Sequence, residues 1–234
     1  MDKATLPAMK FTYYGQSCFA VETNGFTLLF DPFITPNELA KHISLDEVKA
    51  DYILVSHGHY DHIADAVELA QRTKATVISN FEIISWFNKQ GIEKAHAMNH
   101  GGGFDFPFGR VKYVNAIHSS LLPDGTNGGN PGGFVVDTAE GAFYFAGDTA
   151  LTMDMQLIGE EFQLRFAVLP IGDNFTMGAK DATRAAAFVK CREIVGVHYD
   201  TFPPIRIDKA KAAATFHAAD LRLHLPKIGE TIDL

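Results

Sequence analysis

Cysteine is scarce: the 234 residues contain two, Cys18 and Cys191, with no Cys-x-x-Cys spacing. That excludes a disulfide framework, and two lone thiols fit a reducing, cytoplasmic compartment. Basic residues are in the minority, 20 Lys and Arg against 28 Asp and Glu, for a formal charge of −8. A generic nucleic-acid binder needs a basic field to neutralise phosphates, so no nucleic-acid partner is expected. No stretch approaches the ~20 apolar residues of a membrane span. Met1–Phe11 carries Asp2, Lys3 and Lys10 where a signal peptide would have an apolar core, so neither a membrane partner nor an export signal is expected. Repeats, linkers and low-complexity tracts are missing, as are G-x-G-x-x-G and P-loop motifs, so nucleotide cofactors are not indicated. His100-Gly101-Gly102-Gly103 has no G-x-S-x-G elbow to serve as an oxyanion loop and reads as a turn before a strand.

What is present is a large apolar complement, 47% of residues, with 19 Phe and 7 Tyr. Area scaling gives a folded surface of roughly 10,000 Å² against roughly 37,000 Å² unfolded, enough burial for one domain spanning 1–234 without a stabilising metal. Phe11–Tyr14, Cys18–Val21 and Thr27–Phe30 read as strands, the last two joined by the turn Asn24-Gly25. Tyr52–Ser56 and Thr76–Ser79 read as strands, with helices over about 62–73 and over Glu82–Gln90, the latter stopped by Gly91. Val111–Ile117, Gly133–Asp137, Ala142–Phe145, Phe166–Pro170 and Ile194–Val197 follow as strands, and helical spacing returns at about 154–163, 180–190 and 208–218. This order does not suit a doubly wound parallel sheet. It suits an α+β arrangement of two sheets packed face to face with helices outside.

The segment Ser56-His57-Gly58-His59-Tyr60-Asp61-His62 carries the chemistry. It lies between a buried strand and a helix, where a rigid sheet presents functional side chains. Neutral imidazoles and a carboxylate are ligands for zinc and its first-row neighbours. His57, His59, Asp61 and His62 diverge too much to close comfortably on one ion, so two adjacent metals would share them. Further ligand-type residues follow at the ends of later strands: His118, Asp148 and His198.

H-x-H-x-D-H, a lone His, Gly147-Asp148-Thr149 and a final His, in that order, resemble the ligand set of the metallo-β-lactamase superfamily across nearly the whole chain. The likeness is greatest to its bacterial predicted Zn-dependent hydrolases, with the L-ascorbate-6-phosphate lactonase and phosphodiesterase branches more distant. Asp31-Pro32-Phe33, His118-Ser119-Ser120, Gly129-Asn130-Pro131, the stretch Gly172–Gly178 and the stretch His198–Pro204 carry it. The resemblance implies a four-layer αβ/βα sandwich with the metals in a groove between the sheets. It implies one metal on His57, His59 and His118, a second on Asp61, His62 and His198, and Asp148 bridging, with Asp61 and Asp148 as the catalytic carboxylates. It also implies that a water shared by two divalent ions attacks as hydroxide on an ester, lactone, amide or phosphorus centre, and that Asp31 holds a ligand histidine in its tautomer. Zinc is the expected metal, and manganese, nickel and iron accept the same ligands.

His at position 59 departs from the flavodiiron oxidoreductases of that superfamily, and Asp148 stands where a common zinc β-lactamase has Cys. The expected function is hydrolysis of a small ester, lactone or phosphoester. The alternatives are a phosphodiesterase or nuclease of the same fold, and a non-enzymatic metal-binding protein. Asn130, Asn174 and Thr176 are candidates to orient substrate, with Phe175 and Met177 to pack against it. The glycine-rich loop 123–133 reads equally as a bare hairpin loop and as a wall or lid over the metals. A homo-oligomer is expected on base rates alone.

Overall fold

Alternation along the strands decides the layering. In the computed structural model, which describes residues 7–234, Phe19, Val21, Leu28 and Phe30 point to a central core while their neighbours Cys18, Ala20 and Leu29 point to an outer one. Successive strand residues face opposite ways, so each strand here is buried on both faces.

The first sheet starts with the antiparallel strands β1 (Lys10–Gly15), β2 (Cys18–Thr23) and β3 (Phe26–Phe30). β4 (Tyr52–Leu54), β5 (Thr76–Asn80) and β6 (Ala95–Met98) then add in parallel. Helices α1 (Tyr60–Ile63), α2 (Ala66–Thr73) and α3 (Phe81–Lys89) cover its outer face through Ile63, Leu69, Ile83 and Phe87. In the second sheet β7 (Gly103–Phe106), β8 (Gly109–Asn115), β9 (Gly132–Thr138) and β10 (Gly141–Phe145) are antiparallel. The strands β11 (Leu164–Pro170), β12 (Glu193–Val197) and β13 (Arg222–His224) extend it in parallel from β10. Its outer face carries α4 (Met155–Glu161), α5 (Ala179–Phe188) and α6 (Lys209–Ala218). The last strand, β14 (Thr231–Asp233), returns to the first sheet beside β1, pairing Ile232 with Phe11.

Seven strands stand in each sheet, in the orders β14-β1-β2-β3-β4-β5-β6 and β13-β12-β11-β10-β9-β8-β7. Phenylalanine joins them: Phe19 stacks on Phe30 with centroids 4.5 Å apart, and Phe145 meets both edge-on at 5.0 and 5.5 Å. The expected αβ/βα sandwich is the architecture found, and its exposed surface of 10688 Å² lies close to the scaling value.

Two expectations need correction. The helix read over about 62–73 is two helices, because the buried Asp65 carboxylate accepts hydrogen bonds from Ile34 N–H at 2.5 Å and Thr35 N–H at 2.9 Å, and the helix breaks around it. Strands β6, β7, β13 and β14 were not expected; they are three or four residues long and partly exposed, too short for a period-2 signal.

Candidate metal centre

Strand ends bring the seven predicted ligands together. His57 and His59 lie in the loop after β4, Asp61 and His62 fall on the single turn of α1, and Asp148 follows β10. His198 comes directly after β12, and His118 lies beyond β8, which stops at Asn115. Neighbours on a helical turn point about 100° apart, so Asp61 and His62 are presented differently although adjacent in sequence.

Asp148 is the hub. Its Oδ2 lies 2.9 Å from His198 Nε2, 3.3 Å from His62 Nε2, 3.6 Å from His118 Nε2 and 3.9 Å from His57 Nε2. Asp61 Oδ2 stands 3.4 Å from His62 Nε2 and 3.7 Å from His198 Nε2. On the other side His57 Nε2 and His59 Nδ1 are 3.0 Å apart, and His59 and His118 meet edge-on at 5.0 Å.

Asp31 sits behind this cluster, fully buried, where sequence reading puts it. His62 Nδ1–H donates to Asp31 Oδ2 at 2.7 Å, which leaves His62 Nε2 free to face the centre. Ser56 fixes the carboxylate from below, its N–H donating to Oδ1 at 2.7 Å and its hydroxyl to Oδ2 at 2.5 Å. Ser56 Oγ also stands 3.0 Å from His57 Nδ1, so one serine braces both histidines.

Gln16, to which sequence reading assigned no role, holds two elements of the site. Its Nε2–H donates to Asp61 Oδ2 at 2.8 Å and its backbone carbonyl accepts from His198 N–H at 2.8 Å. It sits in the β1–β2 turn in a left-handed conformation, φ 51°. The available signal was two polar residues, Gln16-Ser17, in a tight turn between buried strands. His198 (φ 56°) and Asp31 (φ 41°) share that unusual region, where non-glycine residues cost energy and cluster at functional sites.

The charges follow from burial and proximity. Burial alone pushes Asp61 and Asp148 up, but His62 and His198 outweigh it and hold both below the usual carboxylate range. The same contacts overcome the burial penalty on the imidazoles, raising His62 well above its ordinary value and His198 to about 9. His57, His59 and His118 are pushed down by burial, which favours the neutral imidazole a metal needs. Burial raises Asp31 too, with His62 and Ser56 opposing.

The donor set fits cations. His62 Nε2 and Asp148 Oδ1 are buried without a hydrogen-bond partner, a costly state that a bound ion relieves. Groups with ligand atoms within 4.8 Å of one another are His57–His59–His118, Asp61–His62–His198 and Asp31–His57–His62. The first two match the expected pairing; in the third, Asp31 is already engaged by Ser56 and His62.

The candidate substrate residues are placed differently. Asn130 is exposed over a hollow shared with Asn80, Glu82 and Asn99. Asn174 opens on a cavity of about 760 Å³ by the N-terminal ends of α5 and α6, beside Lys180 and Arg206. The Thr176 hydroxyl donates to Met177 O at 3.3 Å, and Met177 is core, 2% exposed, so it does not face substrate. Among the described residues none of these side chains bonds to the cluster. The glycine-rich loop is docked: Asn80 Nδ2 donates to Gly128 O and Asn130 O, Trp86 Nε1 donates to Asp124, and Leu122 is buried.

Comparisons with known proteins give the family. The beta-lactamase superfamily domain matches residues 27–199. A metal-dependent hydrolase of Methylacidiphilum infernorum is 50% identical over 226 residues, covering 97% of this chain and 100% of that one. Another, from Christiangramia forsetii, is 52% identical over 227 residues, with 97% and 100% covered. Among solved structures, a metallo hydrolase from the hyperthermophilic archaeon Ignicoccus hospitalis superposes with a TM-score of 0.89 at 34% identity, over 97% of this chain and 98% of that one.

Proposed function

The chain belongs to the metallo-β-lactamase superfamily and is a metal-dependent hydrolase, and from that premise we propose that it cleaves a small ester, lactone or phosphoester at a dinuclear centre. His57, His59 and His118 would hold one divalent ion and Asp61, His62 and His198 the other, with the Asp148 carboxylate available to both groups. The observation that carries this reading is the place of Asp148 Oδ2, within 3.9 Å of imidazole nitrogens from both groups. Zinc is the metal the ligand set favours first. When bound, two divalent cations lower the pKa of a shared water and polarise the oxygen of the bond attacked.

The protein's own groups do the rest. Asp31 and Ser56 fix the tautomers of His62 and His57, so that both present Nε2 to the centre. Asp61, kept ionised by its histidine neighbours and steadied by Gln16, accepts a hydrogen bond from the attacking water and orients it, while the water's proton ends on the departing oxygen. The water's oxygen joins the acyl carbon or phosphorus, the bond to the departing oxygen breaks, and that oxygen leaves protonated. Both cysteines are buried and free, which supports a cytoplasmic setting, and no helix among the described residues is long and apolar enough to cross a membrane.

The test compares initial rates of metal-replete wild type and Asp148→Ala on a chromogenic aryl ester, a lactone and a phosphodiester. A rate on at least one substrate that Asp148→Ala loses by about 100-fold or more supports the reading. Equal rates in both proteins on every substrate would sink it.

A further inference from the structure

The segments that carry or adjoin the candidate ligands, residues 31–40, 56–65, 115–131, 146–154, 171–178 and 198–205, contain no Lys or Arg. They do carry further acids, among them Asp124, Asp154 and Asp173, while Asp200 is paired with Lys209 at 3.1 Å. A substrate with its own negative charge away from the scissile bond would meet repulsion there and no guanidinium or ammonium to bind it. The cations that flank these segments are engaged elsewhere: Lys41 pairs with Glu38 and Lys209 with Asp200, and Lys180 and Arg206 line the separate cavity of about 760 Å³, in company with Asp173, Asp181 and Asp208.

In place of charge, these loops expose large apolar side chains. Tyr60, Ile117, Leu121, Phe175 and Phe202 are between 37% and 57% exposed. Tyr60 stands between His59 and Asp61, Ile117 precedes His118, and Phe202 follows His198 in the same loop. Exposed side chains of this size on the loops that bear the candidate ligands suit a binding surface. They are also held firmly. Tyr60 packs edge-on against the buried ring of Phe33 at 6.0 Å, and Phe202 packs on the same ring at 6.3 Å. Thr149, next to Asp148, anchors the other two loops: its Oγ1 accepts from Ile117 N–H at 2.9 Å, and its carbonyl accepts from Met177 N–H at 3.1 Å, two residues past Phe175.

We infer that the substrate is uncharged outside its scissile group and presents an apolar acyl or aryl group to an aromatic wall of Tyr60 and Phe202 built on Phe33. This deepens the hydrolase reading and rests on it: the occupant must reach the metal centre that the wall borders, which a small substrate does. The wall is a specificity device, because apolar burial grows with each methylene in contact, while the acid-bearing, base-free loops select against anions.

The test is binding of a hydroxamate series to the metal-loaded protein, measured by calorimetry. Affinity is expected to rise about tenfold or more from acetohydroxamate to octanohydroxamate, and succinyl monohydroxamate, with its free carboxylate, is expected to bind more weakly than acetohydroxamate. In Tyr60→Ala/Phe202→Ala the gain from the tail shrinks to about threefold or less while metal equivalents per chain stay as in wild type; Tyr60→Phe restores it. A flat series in wild type, tighter binding of the anionic probe, or a tail effect that survives the double substitution overturns the inference. Sedimentation of the same proteins separates the rival occupant: a flat series together with an oligomer that the double substitution dissociates makes the wall a subunit interface. Absence of turnover on every ester, lactone and phosphoester, with the hydroxamate pattern intact, overturns the hydrolase reading and leaves the binding surface standing.

Discussion

Asp31 never faces the centre, yet two of its contacts decide how His62 does. Its carboxylate accepts a hydrogen bond from His62 Nδ1–H at 2.7 Å and is itself fixed by Ser56. Replacing such a partner weakens metal affinity by about 10- to 100-fold, and Asp31→Ala is expected to do so in a chelator-competition titration. Unchanged affinity would remove the role assigned to it. Gln16→Ala frees Asp61 Oδ2 and is expected to weaken ion binding at the proposed Asp61, His62 and His198 site by about tenfold, with little effect at the proposed His57, His59 and His118 site. Equal loss at both sites would show a general collapse of the rim instead. The seven candidate positions and Asp31 stand out in the sequence because their residue types, order and spacing are specific to few chemistries, and the fold brings them to one cluster. Gln16 was not, since a lone glutamine in a turn has no chemistry until folding sets it beside Asp61.

At the scale of elements, two backbones approach closely to seat His198. A Cβ added at Gly172, in the loop after β11, would stand 2.0 Å from the carbonyl oxygen of His198. Gly172→Ala therefore has to push β12's exit loop aside, and the expected outcome is loss of metal equivalents with the far-ultraviolet dichroism kept. Full metal content in that variant would mean the loop yields without moving His198. Phe30 stands elsewhere, in the shared core against Phe19, Phe143 and Phe145, and Phe30→Ala is expected to cost about 3–5 kcal/mol in denaturant unfolding. The strands with strong apolar character, β1 to β5 and β8 to β12, were legible. The break at Asp65 was not, because it depends on a carboxylate reaching Ile34 and Thr35 from 30 residues away, a contact no local window contains. The short strands β6, β7, β13 and β14 escape for the complementary reason: partners in the sheet define them more than their own patterns do.

For the molecule as a whole, the αβ/βα layering places both sheets' strand ends around one charged cluster that the fold leaves incompletely satisfied. Cations that bind the folded state alone stabilise it by about 2.7 kcal/mol at a hundredfold excess over Kd. Chelation is thus expected to lower the melting temperature of wild type, and to leave that of Asp148→Ala little changed. Burial also pushes the Cys18 thiol far above its ordinary value and Cys191 to about 11. Both stay protonated at pH 8, so a native sample should show no fast-reacting thiol with an aromatic disulfide reagent, whereas the denatured chain should show both. Whether two ions share Asp148 is read from metal analysis of wild type and Asp148→Ala after reloading and desalting. About two equivalents are expected per wild-type chain and one or fewer in the variant. A single equivalent in wild type, or two retained without Asp148, would contradict the sharing.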